Sequence, residues 1–242
     1  MSAVMTVEQL NLPGQAAAPE GPVNLAGMFL MHHGFRRDLG NFVRVVPLVE
    51  PDDRQQWQVL AKRWRYFSVV LHKHHKGEDD GLWPLLLDRV DAAGDPAARA
   101  TLEAMEAEHA DIDPLLEACG QGFDRLAAAA DADARAALEV RLVATRQILG
   151  AHLAHEEADA LALVQQYLTQ QDWDRIERDH FAAGYSIRES FHAVCWVLHG
   201  LPERARQVLF AQPGVGVFRL PWRLILRPRF ERAERRAFGV EL

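Results

Sequence analysis

The ten residues from Leu71 to Asp80 constrain this chain more than any other stretch. They contain three histidines and three acidic residues at the end of a pattern that predicts a helix. His74 and Glu78 are four residues apart, so their side chains would lie one turn apart on one helix face. The apolar residues of that face are Trp57, Leu60, Trp64, Phe67 and Leu71. The fold must therefore bury imidazole and carboxylate groups together.

Three further predicted helices each place a histidine on an apolar face. They are His32 in a helix from about Leu25 to Val46, His109 in a helix from about Pro96 to Ala118, and His152 in a helix from about Asp131 to Tyr167. Glu156 follows His152 at the spacing that separates His74 and Glu78. A single core histidine is often satisfied by a hydrogen bond, since burying it unpaired costs roughly 1–3 kcal/mol. A shared metal would satisfy four of them at once.

The helical patterns predict an all-α protein, an antiparallel four-helix bundle with a helical C-terminal extension. The second helix is expected from about Asp53 to His75, and Gly120 and Gly122 are expected to close the third. We expect residues 1–23 to form a mobile arm that contributes little to the core, and residues 24–168 to form the bundle. Residues 169–242 would form the extension, which ends in a basic amphipathic tail.

The composition limits the partners and the compartment. The formal charge of −7 argues against a general nucleic-acid binder. The two cysteines lie far apart in no metal-type spacing, and no secretion signal or membrane-spanning window is present, so we expect a cytoplasmic protein. The tail from Pro202 to Leu242 carries nine arginines and four acids. We expect it to pack on its own domain or a partner subunit, with contact to an anionic membrane surface as the alternative.

The expected metal ligands are His32, His74, Glu78, His109, His152 and Glu156. Imidazole and carboxylate without thiolate indicate iron, manganese or zinc. Six ligands exceed the need of one tetrahedral zinc and suit two metals bridged by the glutamates. Four residues are candidates for orienting the ligands, namely His75, Asp113, His155 and Asp159. Of these, His75 is the second choice as a ligand, whereas Glu157 is expected to turn away from the site.

Four segments resemble the hemerythrin-like, or HHE cation-binding, family: Met31–Leu39, His74–Asp80, Glu108–Asp113 and His152–Glu157. The resemblance covers about residues 25–167. It implies an up-and-down bundle with a non-haem di-iron centre on the same six ligands. We therefore expect two iron ions bridged by carboxylate and by an oxo or hydroxo group, with zinc and manganese as alternatives.

The chain differs from the oxygen-carrying members in two positions. Asp113 stands where they have a second histidine on the third helix, and Glu156 follows His152 by four residues where they have an aspartate after five. One iron is thus expected to have fewer nitrogen ligands, which argues against simple oxygen carriage. We expect the protein to bind or reduce a small oxidant (O2, H2O2 or NO), with catalase- or peroxidase-like or NO-reducing activity. A non-enzymatic iron, oxygen or redox sensor read by the extension is the alternative, and a structural zinc site is a third hypothesis.

Overall fold

The computed structural model describes residues 6–211 and 214–239, and within them it confirms the all-α prediction. The bundle consists of α1 (Ala26–Val45), α2 (Arg54–Gly77), α3 (Trp83–Ala93), α4 (Pro96–Ala128), α5 (Ala132–His155) and α6 (Leu161–Tyr167). A π-helical turn joins α2 to α3 (Glu78–Leu82) and another joins α5 to α6 (Glu156–Ala160), so each pair runs as one continuous rod. Four rods therefore make the bundle.

The extension is also helical. It contains α7 (Gln170–Ile176), a π-helical turn (Glu177–Ala182), α8 (Ile187–Leu198), α9 (Glu203–Ala211), α10 (Arg219–Pro221), a further π-helical turn (Trp222–Leu226) and α11 (Arg227–Phe238). Short 3-10 helices lie at Val46–Leu48 and Gly216–Phe218. No helix in residues 6–211 and 214–239 is long and apolar enough to cross a membrane.

Polar caps and short links order the bundle. The carboxylates of Asp53, Asp95 and Asp131 accept backbone N–H groups at the first turns of α2, α4 and α5. Gly94 ends α3 at φ 67°, a left-handed conformation that glycine adopts without a Cβ clash. Such short links force successive rods to run antiparallel.

The third rod is longer than predicted, because α4 continues past Gly120 and Gly122 to Ala128. A Cβ on Gly122 would lie only 3.1 Å from Cδ1 of Leu138, so this glycine lets α5 approach closely. The additional turns bury Phe123 and Leu126 completely. Packing of the added turns thus outweighs the low helix propensity of the two glycines.

The N-terminal arm contributes to the core, contrary to expectation. Leu10, Leu12 and Val23 are buried. The amide of Gln165 accepts the Val23 N–H at 2.9 Å and donates to the Val23 carbonyl at 2.8 Å, which fixes the arm to α6. Residues 1–5 lie outside the described part of the chain.

The extension shares one core with the bundle. Trp196 of α8 is fully buried with its ring 5.4 Å from that of Phe35, and its Nε1 donates to Asp38 at 2.8 Å. Phe238 of α11 lies 5.0 Å from Phe42. Helix α11 therefore packs its apolar side on the chain's own bundle.

Not all of the basic tail is covered in this way. Val217, Leu220, Leu224 and Ile225 are exposed, each by at least half of its surface.

Candidate metal centre

Two groups of buried imidazole and carboxylate side chains meet at the centre of the bundle. In the first, donor atoms of His32, His74, Glu78 and Glu156 all lie within 4.8 Å of one another. In the second, donor atoms of His75, His109 and His152 do the same. We call these the four-residue cluster and the three-histidine cluster. Together they contain all six predicted ligands and add His75.

The two glutamates lie between the clusters. Glu78 places one oxygen 3.0 Å from Nε2 of His74 and the other 3.5 Å from Nε2 of His109. Glu156 places one oxygen 3.1 Å from Nε2 of His32 and 4.0 Å from Nε2 of His152. Each carboxylate thus faces a histidine of both clusters, which is the position of a bridging ligand.

The same local structure presents both glutamates. Glu78 and Glu156 each begin a π-helical turn, in which the N–H of Trp83 bonds the Glu78 carbonyl and the N–H of Leu161 bonds the Glu156 carbonyl. Such i to i+5 turns occur mostly as single insertions at functional sites. Each turn directly follows a helix end that carries the paired histidine four residues earlier.

His75 supplies the third imidazole of its cluster. Its ring stacks on that of His109 at 3.9 Å with an interplanar angle of 8°, and lies 5.4 Å from that of His152. The three imidazoles of this cluster therefore come from α2, α4 and α5. The sequence predicted that one half of the site has fewer nitrogen donors, and the two clusters contain three and two histidines.

Glu157 does not turn away from the site, as the sequence had suggested. It is fully buried, accepts from Nδ1 of His32 at 2.9 Å, and is paired with Arg36 at 2.6 Å. The backbone N–H of Ala16 donates to its other oxygen at 2.7 Å, so the N-terminal arm helps to hold it. A proton on Nδ1 leaves Nε2 of His32 free to face the cluster.

Two further carboxylates orient the histidines of the other cluster. Asp79 lies 2.8 Å from Nδ1 of His109, and Glu108 lies 2.8 Å from Nδ1 of His152. Both were missed, although each is a direct neighbour of a predicted ligand in the chain. Each reaches across to the adjacent rod, and the sequence does not show how two rods are rotated against each other.

The other predicted orienting residues lie further out. Nδ1 of His155 donates to Glu108 at 2.8 Å, so His155 acts on the carboxylate that holds His152. Asp159 is exposed and lies 3.7 Å from His155. Asp113 is exposed, and its carboxylate makes no hydrogen bond within residues 6–211 and 214–239. Neither aspartate touches the clusters.

The ionisable side chains of the four-residue cluster shift one another's pKa values strongly. Burial lowers the pKa of His32, but Glu156 and Glu157 outweigh it and raise the pKa to about 9. Burial opposes ionisation of Glu156, yet His32 brings its pKa down to about 2. Burial and the charge of Glu156 raise the pKa of Glu78 well above its ordinary value.

Many inward-facing atoms also have no hydrogen-bond partner among the described residues. They are both nitrogens of His75, both oxygens of Glu78 and Glu156, and Nε2 of His109 and His152. Buried polar atoms are normally satisfied. One cation in each cluster would satisfy all of these atoms except one nitrogen of His75, because an imidazole offers a single ion only one of its nitrogens. The residues present thus fit a pair of metal ions.

The fold and these clusters define a helical-bundle protein with a histidine and glutamate metal site. Residues 25–164, more than half of the chain, match the sequence profile of the Hemerythrin HHE cation binding domain. The chain belongs to this family, whose domain binds metal cations. Neither a curated protein nor a solved structure matches the chain.

Proposed function

We propose that the protein is a non-haem di-iron protein that binds or reduces a small oxidant, O2, H2O2 or NO. The observation that carries the proposal is the position of Glu78 and Glu156, each of which faces histidines of both clusters. A single-ion site has no need of two carboxylates placed between two sets of imidazoles. Di-iron carboxylate sites in helix bundles are built in this way.

The residues present would hold one ion with His32 and His74 and the other with His75, His109 and His152, with Glu78 and Glu156 shared. Bound iron would supply open coordination positions and one-electron chemistry, so that two ferrous ions could together give the two electrons, and water the two protons, that convert H2O2 to two waters. Glu157, Asp79 and Glu108 keep Nδ1 of three histidines hydrogen-bonded and Nε2 directed inward. The apolar faces of the rods exclude bulk water.

The test is metal content together with the near-ultraviolet and visible absorption spectrum, before and after hydrogen peroxide is added. About two irons per chain with bands that change on peroxide addition would support the proposal. One zinc per chain and no colour would contradict it and indicate the structural site instead.

A pair of variants tests the residue assignment. His74→Ala combined with Glu156→Ala should abolish both metal binding and the spectral response. Asp113→Ala is the matched control, because Asp113 is exposed and away from the clusters. Retention of iron in the double variant would show that the assignment is wrong.

A sensor is the second candidate, and the packing of the extension favours it. Phe181 lies 5.8 Å from the ring of His74, and a Cβ on Gly77 would lie 2.6 Å from Cδ1 of Phe181. The extension thus rests directly on the helix end that carries His74 and Glu78. The sensor hypothesis predicts that iron loss or oxidation changes protease sensitivity from Asp172 onward without catalytic turnover. Unchanged cleavage in all metal states would contradict it.

A further inference from the structure

A chamber of about 330 Å³ lies between the bundle and the extension, on the outer side of the four-residue cluster. The bundle contributes Met28, Met31 and His74 to its wall, and the extension contributes Trp173, Phe181 and Tyr185. This volume is at the lower end of the range for small-molecule pockets, roughly 300–1,000 Å³. An apolar lining of this kind favours an organic ligand over ordered water, which needs several polar partners.

The charges around the chamber are few. The ammonium of Lys73 lies 2.7 Å from Glu189 and 4.5 Å from the ring centre of Tyr185, so its charge is already paired. Glu177 is half-buried, lines the chamber, and has no ion-pair partner in residues 6–211 and 214–239. Burial raises the pKa of Glu177. The Glu177 carboxyl is therefore the acidic hydrogen-bonding group that an occupant would meet, and the side chains of Tyr185 and Ser190 also line the chamber.

We propose that the chamber binds an uncharged, mainly apolar organic molecule that carries one hydroxyl or similar hydrogen-bonding group. The aromatic and methionine side chains would enclose the apolar part, and the Glu177 carboxyl would bond the polar group. An anionic ligand is disfavoured, because the paired Lys73 offers no free positive charge and Glu177 is acidic. The occupant would contact the outer face of His74, so the extension gives the metal site an organic neighbour.

The site does not depend on which metal the clusters hold, so its test is a binding measurement. The probe is 4-fluorobenzyl alcohol, followed by fluorine NMR and by calorimetry with the metal-loaded and the metal-free full-length chain. We expect saturable binding of one molecule per chain. The charged analogues 4-fluorobenzoate and 4-fluorobenzylammonium should bind at least about tenfold more weakly, a loss of about 1.4 kcal/mol.

Filling the chamber should remove this binding. Ala193 and Ala182 line it, whereas Ala183 does not. Ala193→Phe and Ala182→Phe should each weaken binding of the alcohol at least about tenfold, while Ala183→Phe, the matched control, leaves it unchanged. Circular dichroism and metal content establish that each variant is folded. The proposal is overturned if the alcohol shows no saturable binding, if benzoate binds more tightly than the alcohol, or if both filling variants bind the alcohol like the parent chain.

Discussion

His74 and His75 are neighbours in the chain, yet their imidazoles belong to different clusters. Successive side chains of a helix point about 100° apart, because one turn takes 3.6 residues. The end of α2 therefore lies between the two halves of the site and serves both.

Replacing His75 should affect one half of the site only. His75→Ala is expected to lower bound iron from about two per chain toward one, since the three-histidine cluster loses a ligand while the four-residue cluster stays complete. Metal analysis of the purified variant measures this. His72→Ala is the control, because His72 is exposed and lies outside both clusters. Two irons per chain in His75→Ala, with an unaltered spectrum, would show that His75 is not a ligand.

His199 makes the packing of the extension on the bundle sensitive to acid. Burial and the nearby guanidinium of Arg37 lower its pKa from 6.5 to about 4. The charged groups that face it are Arg37 and Asp38 on α1, Arg63 on α2, and Glu231 and Glu234 on α11. The folded chain thus binds fewer protons than the unfolded chain between these pH values. The stability that depends on neutral His199 is complete above about pH 6.5 and is lost as the pH falls toward 4.

Urea unfolding between pH 4 and 7.5 can separate this contribution from that of the carboxylates. In His199→Gln the decline in the free energy of unfolding below about pH 6.5 should be shallower than in the parent chain. His72→Gln is the control, since His72 is exposed. Identical pH profiles for the parent and His199→Gln would rule out this role.

The periodicity of single helices was enough to predict six of the seven clustered residues. Which face of a rod is buried follows from the 3.6-residue repeat, so His32, His109 and His152 could be selected from their apolar neighbours. His75 lies one residue off that stripe, so the sequence made it only the second choice as a ligand, and it joins a cluster because the helix end meets both of them. Asp79 and Glu108 depend on how neighbouring rods are rotated, and helical periodicity does not contain that information.

At the scale of elements, the extension packs on the end of α2 and on the π-helical turn that follows it. Gly77 and Gly81 lie one turn apart, and a Cβ on Gly77 would lie 2.6 Å from Cδ1 of Phe181, while a Cβ on Gly81 would clash with the ring of His180. The π-helical turn Glu177–Ala182 of the extension thus packs on the π-helical turn Glu78–Leu82 of the bundle. Neither contact could be predicted, since it joins segments about a hundred residues apart.

A side chain at Gly77 should therefore loosen the extension. Gly77→Ala is expected to destabilise the chain by about 1–3 kcal/mol, because the packed ring of Phe181 has to move. Urea unfolding and limited proteolysis measure the effect, and Phe181→Ala in the same chain should reduce it. Gly40→Ala is the matched control, because Gly40 lies in α1 with open space around it. This variant should raise the free energy of unfolding by about 0.5–1 kcal/mol. A similar rise in the free energy of unfolding in Gly77→Ala would mean that the contact between Gly77 and Phe181 is not tight.

At the scale of the whole molecule, the bundle and the extension are joined by a buried polar network. Arg63 of α2 lies 2.6 Å from Asp38 of α1 and 2.9 Å from Glu234 of α11. Trp196 of α8 donates to the same Asp38. Removing one partner of a buried charged network is costly, since the remaining charges stay desolvated. The domain boundary predicted at residue 168 therefore does not separate two cores, because residues on both sides of it pack together in one.

Deleting residues 169–242 tests this view. The shortened chain should unfold at lower urea concentration than the full chain, because it exposes Phe35 and Phe42 and removes Glu234 from the network. Unfolding curves followed by circular dichroism measure the difference. Equal midpoints for the two chains would mean that the bundle is an independent unit and that the extension only rests on it.

The π-helical turns also determine where the chain tolerates insertions and deletions. Each turn accommodates one residue more than a regular α-helix would at that point. Removing Asp80 would restore the regular repeat and rotate everything after it by about 100°, which would turn Leu86 and Val90, both fully buried, away from the core. A single-residue deletion in a rod would thus be more damaging than most substitutions there. Changes in length are expected to be confined to the links between rods, such as the one at Gly94.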